Sequence, residues 1–202
     1  MNIEESMREI LDAESRAIAQ IPVTDDYTKA VGLIVDRVHH HGGKLITSGM
    51  GKAGQIAMNI ATTFSSTGTP AIYLHPSEAQ HGDLGVVQPN DVLLLVSNSG
   101  KTREILELVE LAKRLFDGAP LPIIVITGAP GSPLTCLADA TLLTADAPEV
   151  CPLGLTPTTS TTMMTVIGDV LVVNVMRVIG FSREEYAKRH HGGYLGQKAA
   201  GN

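Results

Sequence analysis

The sequence predicts an α/β fold, a three-layer sandwich built on a five-stranded, mostly parallel sheet. Strand-length apolar runs alternate with helix-length segments along the chain, as that architecture requires. The runs are continuous rather than alternating, as in Val92-Leu-Leu-Leu-Val96, which suits strands covered on both faces. A length of 202 residues with 44% hydrophobic and 18% charged residues fills one core and is short for two. One domain is therefore expected over 1–202, with N-terminal helices over 1–42, a core over 43–180, and a C-terminal helix and tail over 181–202.

Helices are expected near residues 3–20, opening on Glu4, Glu5 and Glu9, and near 25–41, closing on His39-His40-His41. Imidazolium groups at a helix C-terminus suit its dipole, so the triplet needs no functional role. A strand at 44–48 runs into a glycine-rich turn and a helix at 52–66, and a second strand follows at 70–74. The third strand, at 91–97, leads into a helix at 102–116, where Ile105, Leu108, Val109, Ala112 and Phe116 recur at helical spacing. Then come a strand at 122–127, a short helix at 133–138, a strand at 140–144 and a long helix at 159–179. The apolar stretch Met163 to Ile179 inside that helix is broken by Gly168, Asp169, Asn174 and Arg177. It reads as a buried helix rather than a membrane span, which needs ~20 apolar residues. A short helical segment around Arg183-Glu-Glu-Tyr186 precedes a Gly-rich tail from Gly192, expected to be loose at its end.

Composition narrows the function. A net charge of -6, 3% aromatic residues and no Trp leave little with which to coat or stack on nucleic acid. Cys136 and Cys151, the only cysteines, form no ligand spacing and fit a reduced cytoplasmic setting. The polar, acidic N-terminus lacks a signal-peptide core. Neither a nucleic-acid nor a membrane partner is expected.

The chemistry concentrates after the third strand. Ser97, Asn98, Ser99 and Thr102 offer side-chain donors around Gly100, just where a helix presents its unpaired N–H groups and positive dipole end. That is a cradle for a phosphate. A simple strand-to-helix turn needs one capping hydroxyl, not four donors. Ser48 and the run Thr158-Thr-Ser160-Thr161, before the last long helix, are candidates to complete the pocket, although capping alone would also account for them.

Two nucleotide motifs are imitated and fail. Gly49-Met-Gly51-Lys-Ala-Gly54 matches G-x-G-x-x-G, but a dinucleotide site needs an acid ~20 positions on, at the end of the next strand. That strand ends at His75, and the first acid after it is Glu78. Gly100-Lys-Thr102 imitates the end of a nucleoside-triphosphate loop, yet Leu95 stands where that loop requires glycine.

The remaining motifs agree with one another. Ser48-Gly-Met-Gly-Lys-Ala-Gly54, Thr67-Gly-Thr-Pro70, His75-Pro-Ser-Glu-Ala-Gln-His-Gly-Asp-Leu-Gly85, Ser97-Asn-Ser-Gly100, Glu149-Val-Cys-Pro-Leu-Gly-Leu-Thr-Pro-Thr158 and His190-His-Gly-Gly193 stand in family order. Through them the chain resembles the sugar isomerase (SIS) domain family, and within it the D-arabinose 5-phosphate isomerases. The resemblance implies a flavodoxin-like sandwich, a homotetramer, and reversible conversion of D-ribulose 5-phosphate to D-arabinose 5-phosphate for lipopolysaccharide or capsule synthesis. Typical relatives continue into two C-terminal CBS modules, whereas this chain stops at Asn202. They also commonly carry Pro after the catalytic His, where this chain has His191.

Such an isomerisation needs a base next to the carbonyl and a group to stabilise the enediolate oxyanion. The resemblance transfers Lys52, Glu104, Glu149 and His190 to this work. Lys52 would stabilise the oxyanion or the phosphate. Glu104 falls in a first helical turn, where an acid is favoured by the dipole alone. Glu149, in a loop with no periodic reason to be there, is the first choice as base. His190 would open the sugar ring, since imidazole moves protons both ways near neutral pH; within a tetramer it would do so in a neighbour's pocket. Gly68 and Thr69 are expected at the substrate, His81 on sugar hydroxyls, and His75 as a capture point for inhibitory zinc. No cofactor is required. A non-catalytic sugar-phosphate regulator, or an isomerase of another phosphosugar, remains the alternative.

Overall fold

The computed structural model describes residues 2–116 and 121–191, together with residues 194, 196 and 198. The glycine-rich tail expected to be loose lies almost wholly outside them, as do Gly192 and Gly193 of the His190 motif.

Five strands form one all-parallel sheet: β1 (Leu45–Gly49), β2 (Ala71–Tyr73), β3 (Val92–Val96), β4 (Ile123–Thr127) and β5 (Ala140–Leu143), in the order β2-β1-β3-β4-β5. Every residue of β1, β3 and β4 is buried. The side chains alternate between two cores. Leu45, Leu94 and Ile126 face α2 (Asp25–Ile34), α3 (Gly51–Ser66) and α6 (Thr159–Val178), whereas Ile46, Leu93, Leu95 and Val125 face α5 (Arg103–Arg114) and the single turn α4 (Pro76–Ala79). Burying each such Leu, Ile or Val stabilises the fold by about 1.5–3 kcal/mol, so continuous apolar runs become central strands.

Helix α1 (Ile3–Ala19) buries only Ala17 and leaves Ile3, Met7, Ile10 and Leu11 exposed. Helix α2 continues as a π turn, Val35–His40, before the strand at Leu45. Helix α6 is long and apolar enough by length and composition to cross a membrane. It is nevertheless a core helix: Met164, Ile167, Leu171, Val172 and Val175 pack in the first core, and Gly168 lets the Ile60 side chain of α3 come to 2.6 Å from where a Cβ would sit. The last described helix, α7 (Arg183–Arg189), is short and buries no residue.

The reversal of strand order between β1 and β3 positions the site. From β1 the chain goes outward through α3 to β2, then returns to lay β3 on the other side of β1. Loops leaving β1 and β3 therefore part in opposite directions, and a crevice is left between them.

Candidate active site

Sheet register sets Gly49 beside Val96, so the loops after β1 and β3 begin at the same level. A cleft of about 390 Å3 opens there, with Lys52, Ser97, Asn98, Ser99, Thr102 and Ser160 on its polar side. Met50, Ala53, Val96, Pro157 and Met164 form its apolar wall. A larger hollow of about 540 Å3 between α2 and α6 carries no charged group on its walls and offers nothing to a phosphate.

Gly100 makes the β3 loop possible. Its φ of +59° is a left-handed conformation, and a Cβ there would lie 2.0 Å from the Ser132 hydroxyl. Thr102 occupies the N-cap position of α5 but makes no capping bond; its hydroxyl pairs with that of Ser97 at 2.8 Å. The Asn98 carbonyl is taken by the Gly128 N–H and the Thr127 hydroxyl, both at 3.1 Å, and the Ser99 hydroxyl accepts from the Lys101 N–H at 3.2 Å. No side chain therefore caps α5 where it meets the cleft. Uncapped N–H groups and a positive dipole end make an anion site.

Lys52 is the second residue of α3, exposed, and among the described residues it makes no hydrogen bond or ion pair. A cation is disfavoured at a helix N-terminus, so local structure gives no reason for it to be here. The turn that carries it is tightly built. Gly54 has the Gly49 carbonyl oxygen 2.6 Å, and the Tyr73 hydroxyl 2.9 Å, from where its Cβ would be. That close approach is what the G-x-G-x-x-G spacing achieves in this chain.

Glu149 caps α6. Its Oε2 accepts from the Thr158 N–H at 2.6 Å, the Thr158 hydroxyl at 2.9 Å and the Ser160 N–H at 3.2 Å, leaving Oε1 without a bond among the described residues. Burial works to raise its pKa, but the Ser160 and Thr158 donors outweigh burial and hold the carboxyl below its ordinary value. The Ser160 hydroxyl adds to this electrostatically; it has no partner of normal hydrogen-bond geometry and is buried on the cleft wall.

Other expected site residues lie elsewhere. Ser48 is fully buried and donates to the Leu74 carbonyl at 2.6 Å, tying β1 to the end of β2 rather than lining the cleft. Gly68 and Thr69 precede β2, whose first residue pairs with Leu45 at the start of β1. They therefore sit at the amino edge, about 13 Å of strand away from the cleft. There Gly68 lies under the Phe181 ring, and the Thr69 hydroxyl pairs with His39 Nε2 at 3.0 Å. Glu104 is half-buried in the first turn of α5, beside the cleft but not on its wall.

His81 is exposed in the segment between α4 and the 3-10 turn Asp83–Val86, and does not line the cleft. His75 stands edge-on to Tyr73, with Nδ1 buried and unpaired. Among the described residues no three His, Cys, Asp or Glu come together as a metal group. The zinc expected at His75 thus finds no ligand set among the described residues. His190 follows α7, stacked 3.7 Å from the Tyr186 ring and bonded to the Tyr186 carbonyl. The 20 residues of α6 carry the chain about 30 Å from the cleft, and seven-residue α7 can retrace about 10 Å. His190, stacked on Tyr186, which packs edge-on to Phe181 over Gly68, therefore stands at the amino edge, away from the cleft of its own subunit.

Two contributors escaped the sequence reading. Tyr73 donates to the Gly49 carbonyl at 2.8 Å and so braces the Lys52 turn; a tyrosine closing an apolar strand was the available signal. Ser132, packed on Gly100, left none.

Comparison with known proteins places this geometry. The SIS domain model matches residues 40–174. Arabinose 5-phosphate isomerase KdsD of Shigella flexneri is 42% identical over 199 residues, 98% of this chain and 58% of its own. The chain thus spans little more than half the length of such relatives. A Bacteroides fragilis NCTC 9343 protein, assigned as a phosphosugar isomerase involved in capsule formation, is 64% identical, with a TM-score of 0.93 over 96% of this chain and 100% of its own. Escherichia coli CFT073 c3406, solved in complex with arabinose 5-phosphate, is 30% identical with a TM-score of 0.85, covering 94% of this chain and 100% of its own.

Proposed function

Because the chain belongs to the SIS domain family, we propose that it is an aldose–ketose isomerase that interconverts D-ribulose 5-phosphate and D-arabinose 5-phosphate. One observation carries this reading: the uncapped start of α5 and the unpaired Lys52 share a cleft, and Glu149, which lines a separate hollow against α1 rather than the cleft wall, accepts from the N–H of Ser160 on that wall and has its pKa held low with one oxygen free among the described residues. The names borne by the relatives support the pentose.

In this reading Ser97, Asn98, Ser99, Thr102 and the α5 N-terminus hold the phosphate. Glu149 Oε1 takes a proton from C1 of the linear ketose. The C1–H electron pair forms the C1–C2 double bond of an enediolate, and the developing charge on O2 is stabilised by Lys52. Return of the proton to C2 with transfer of the O1 proton to O2 makes C1–O1 the carbonyl and gives the aldose. Glu104, which makes no hydrogen bond or ion pair among the described residues, is the other carboxylate within reach of this work. His190, assigned to opening the sugar ring, arrives from a neighbouring subunit, so the working form is an oligomer, the homotetramer implied by the family resemblance. No cofactor is invoked. The setting is the cytoplasm, and the product feeds lipopolysaccharide or capsule synthesis.

The test is incubation of the purified protein with ribulose 5-phosphate in deuterated water, the aldose being examined by NMR. Deuterium is expected at the product's C2, with turnover abolished in Glu149→Gln. No turnover of five-, six- or seven-carbon phosphosugars by the wild type would overturn the reading and leave a sugar-phosphate-binding regulator.

A further inference from the structure

The loop that carries Glu149 is closed in tiers. At its base, Glu149 bonds Thr158 and Ser160, and the Val150 N–H donates to the Thr158 and Thr159 hydroxyls at 3.1 and 3.2 Å. The tip beyond that base has no apolar packing to order it, since Leu153 and Leu155 are 76% and 78% exposed. A tip without buried side chains must be fixed by polar bonds or remain an ensemble.

At this tip the bonds converge on one residue. The Cys151 sulfur accepts the Thr156 N–H at 3.2 Å and the Leu155 N–H at 3.3 Å, and its carbonyl accepts the Gly154 N–H at 2.9 Å. Cys151 is two residues after Glu149, and Thr156 two before Thr158, so closing the tip sets both ends of the Glu149 cap. We infer that Cys151 is a positioning residue for Glu149: its sulfur closes the 151–156 turn and thereby holds the carboxylate on the start of α6. The same donors, Thr156 first, bring the thiol down to about 7. The acceptor is therefore about half thiolate at neutrality and increasingly so above it, and charge-assisted bonds to the thiolate are stronger than those to a neutral sulfur.

The effect of Cys151 on Glu149 is independent of any reaction, while its effect on turnover rests on the isomerase reading above. The test compares Cys151→Ala and Cys151→Ser with the wild type. The Glu149 carboxyl, assigned by its loss in Glu149→Gln, is titrated by carbon-13 NMR; kcat and KM for ribulose 5-phosphate are measured alongside. In Cys151→Ala the Glu149 midpoint is expected to rise toward the ordinary carboxylate value. Expected with it is a kcat lower by about 10- to 100-fold, the cost of a misplaced catalytic group, and a KM changed by less than about twofold, because the phosphate cradle is untouched. Cys151→Ser, with a shorter-reaching acceptor, is expected to fall between, and it carries the comparison alone if the alanine variant does not fold. A Glu149 titration identical to wild type in these variants overturns the inference. If the titration moves while the wild type isomerises no phosphosugar, the positioning stands and the isomerase reading falls.

Discussion

Glu149 has one task seen in the structure and one proposed, and they pull its chemistry in different directions: capping α6 stabilises its anion, which would weaken it as the proposed base yet keeps it deprotonated. Its folded-state pKa lies below the ordinary value of 4.5, so the fold prefers the ionised form. The stabilisation is complete above the unfolded value and is lost as pH falls through the folded one. Wild type is therefore expected to melt about 2–4 °C above Glu149→Gln near pH 6, the shift for ~1 kcal/mol of capping in a chain this long. The gap should close as the pH is lowered through the folded-state value. Thermal melts across that range test it; a pH-independent gap would mean that the carboxylate is not the cap. Sequence could nominate Glu149 but not find its partner. Nine positions of loop separate it from Thr158, and a loop ordered by bonds to a sulfur and two hydroxyls leaves no periodic trace.

At the scale of elements, most of the fold was legible because burial imposes a period. The all-buried runs of β1, β3 and β4, and the α5 stripe Ile105, Leu108, Val109 and Ala112, follow from it directly. Single turns were legible only in part: the short helix expected at 133–138 is a 3-10 turn, Thr135–Leu137, whereas α4 and the 3-10 turn Asp83–Val86 order too few residues to show a period. The placing of Gly68 and Thr69 at the substrate came from resemblance; parallel topology sets them away from the cleft of their own subunit, because a residue that precedes its strand stands at the amino edge. Tyr73 shows what an element end contributes. Burial raises its pKa, keeping the hydroxyl a donor, and its bond to Gly49 fixes the angle at which α3 leaves β1. Tyr73→Phe removes one hydrogen bond of about 1 kcal/mol, so a loss of about 2–4 °C in melting temperature is expected. In the proposed reading the phosphate is held mainly by the β3 loop, so KM is expected to rise only severalfold while kcat, through a mis-set Lys52, falls further. An apparent kcat that falls only in step with lost folded protein, at an unchanged KM, would leave the brace without a role in the site.

The whole molecule divides its expected site residues between two ends. Lys52, Ser97, Asn98, Ser99, Thr102 and Ser160 meet at the carboxyl edge, while Gly68, Thr69 and His190 gather with Phe181 and Tyr186 at the other end of α6. A two-fold axis across α6 would lay a second copy antiparallel to the first, bringing its His190 end toward this cleft and each cleft toward a partner's His190. Exposed Val170, Val173 and Val178 on α6, and the Ile3, Met7, Ile10 and Leu11 stripe on α1, supply apolar surface such an assembly could cover. Complementation decides the matter. His190→Ala and Glu149→Gln are each expected to be inactive alone. Mixed oligomers of the two should regain activity at about a quarter of their sites, those pairing an intact cleft from one subunit with an intact histidine from another. If each subunit used its own histidine, no mixed site would be complete and no activity would return. Recovery would also show why a cleft with no histidine on its wall needs none of its own.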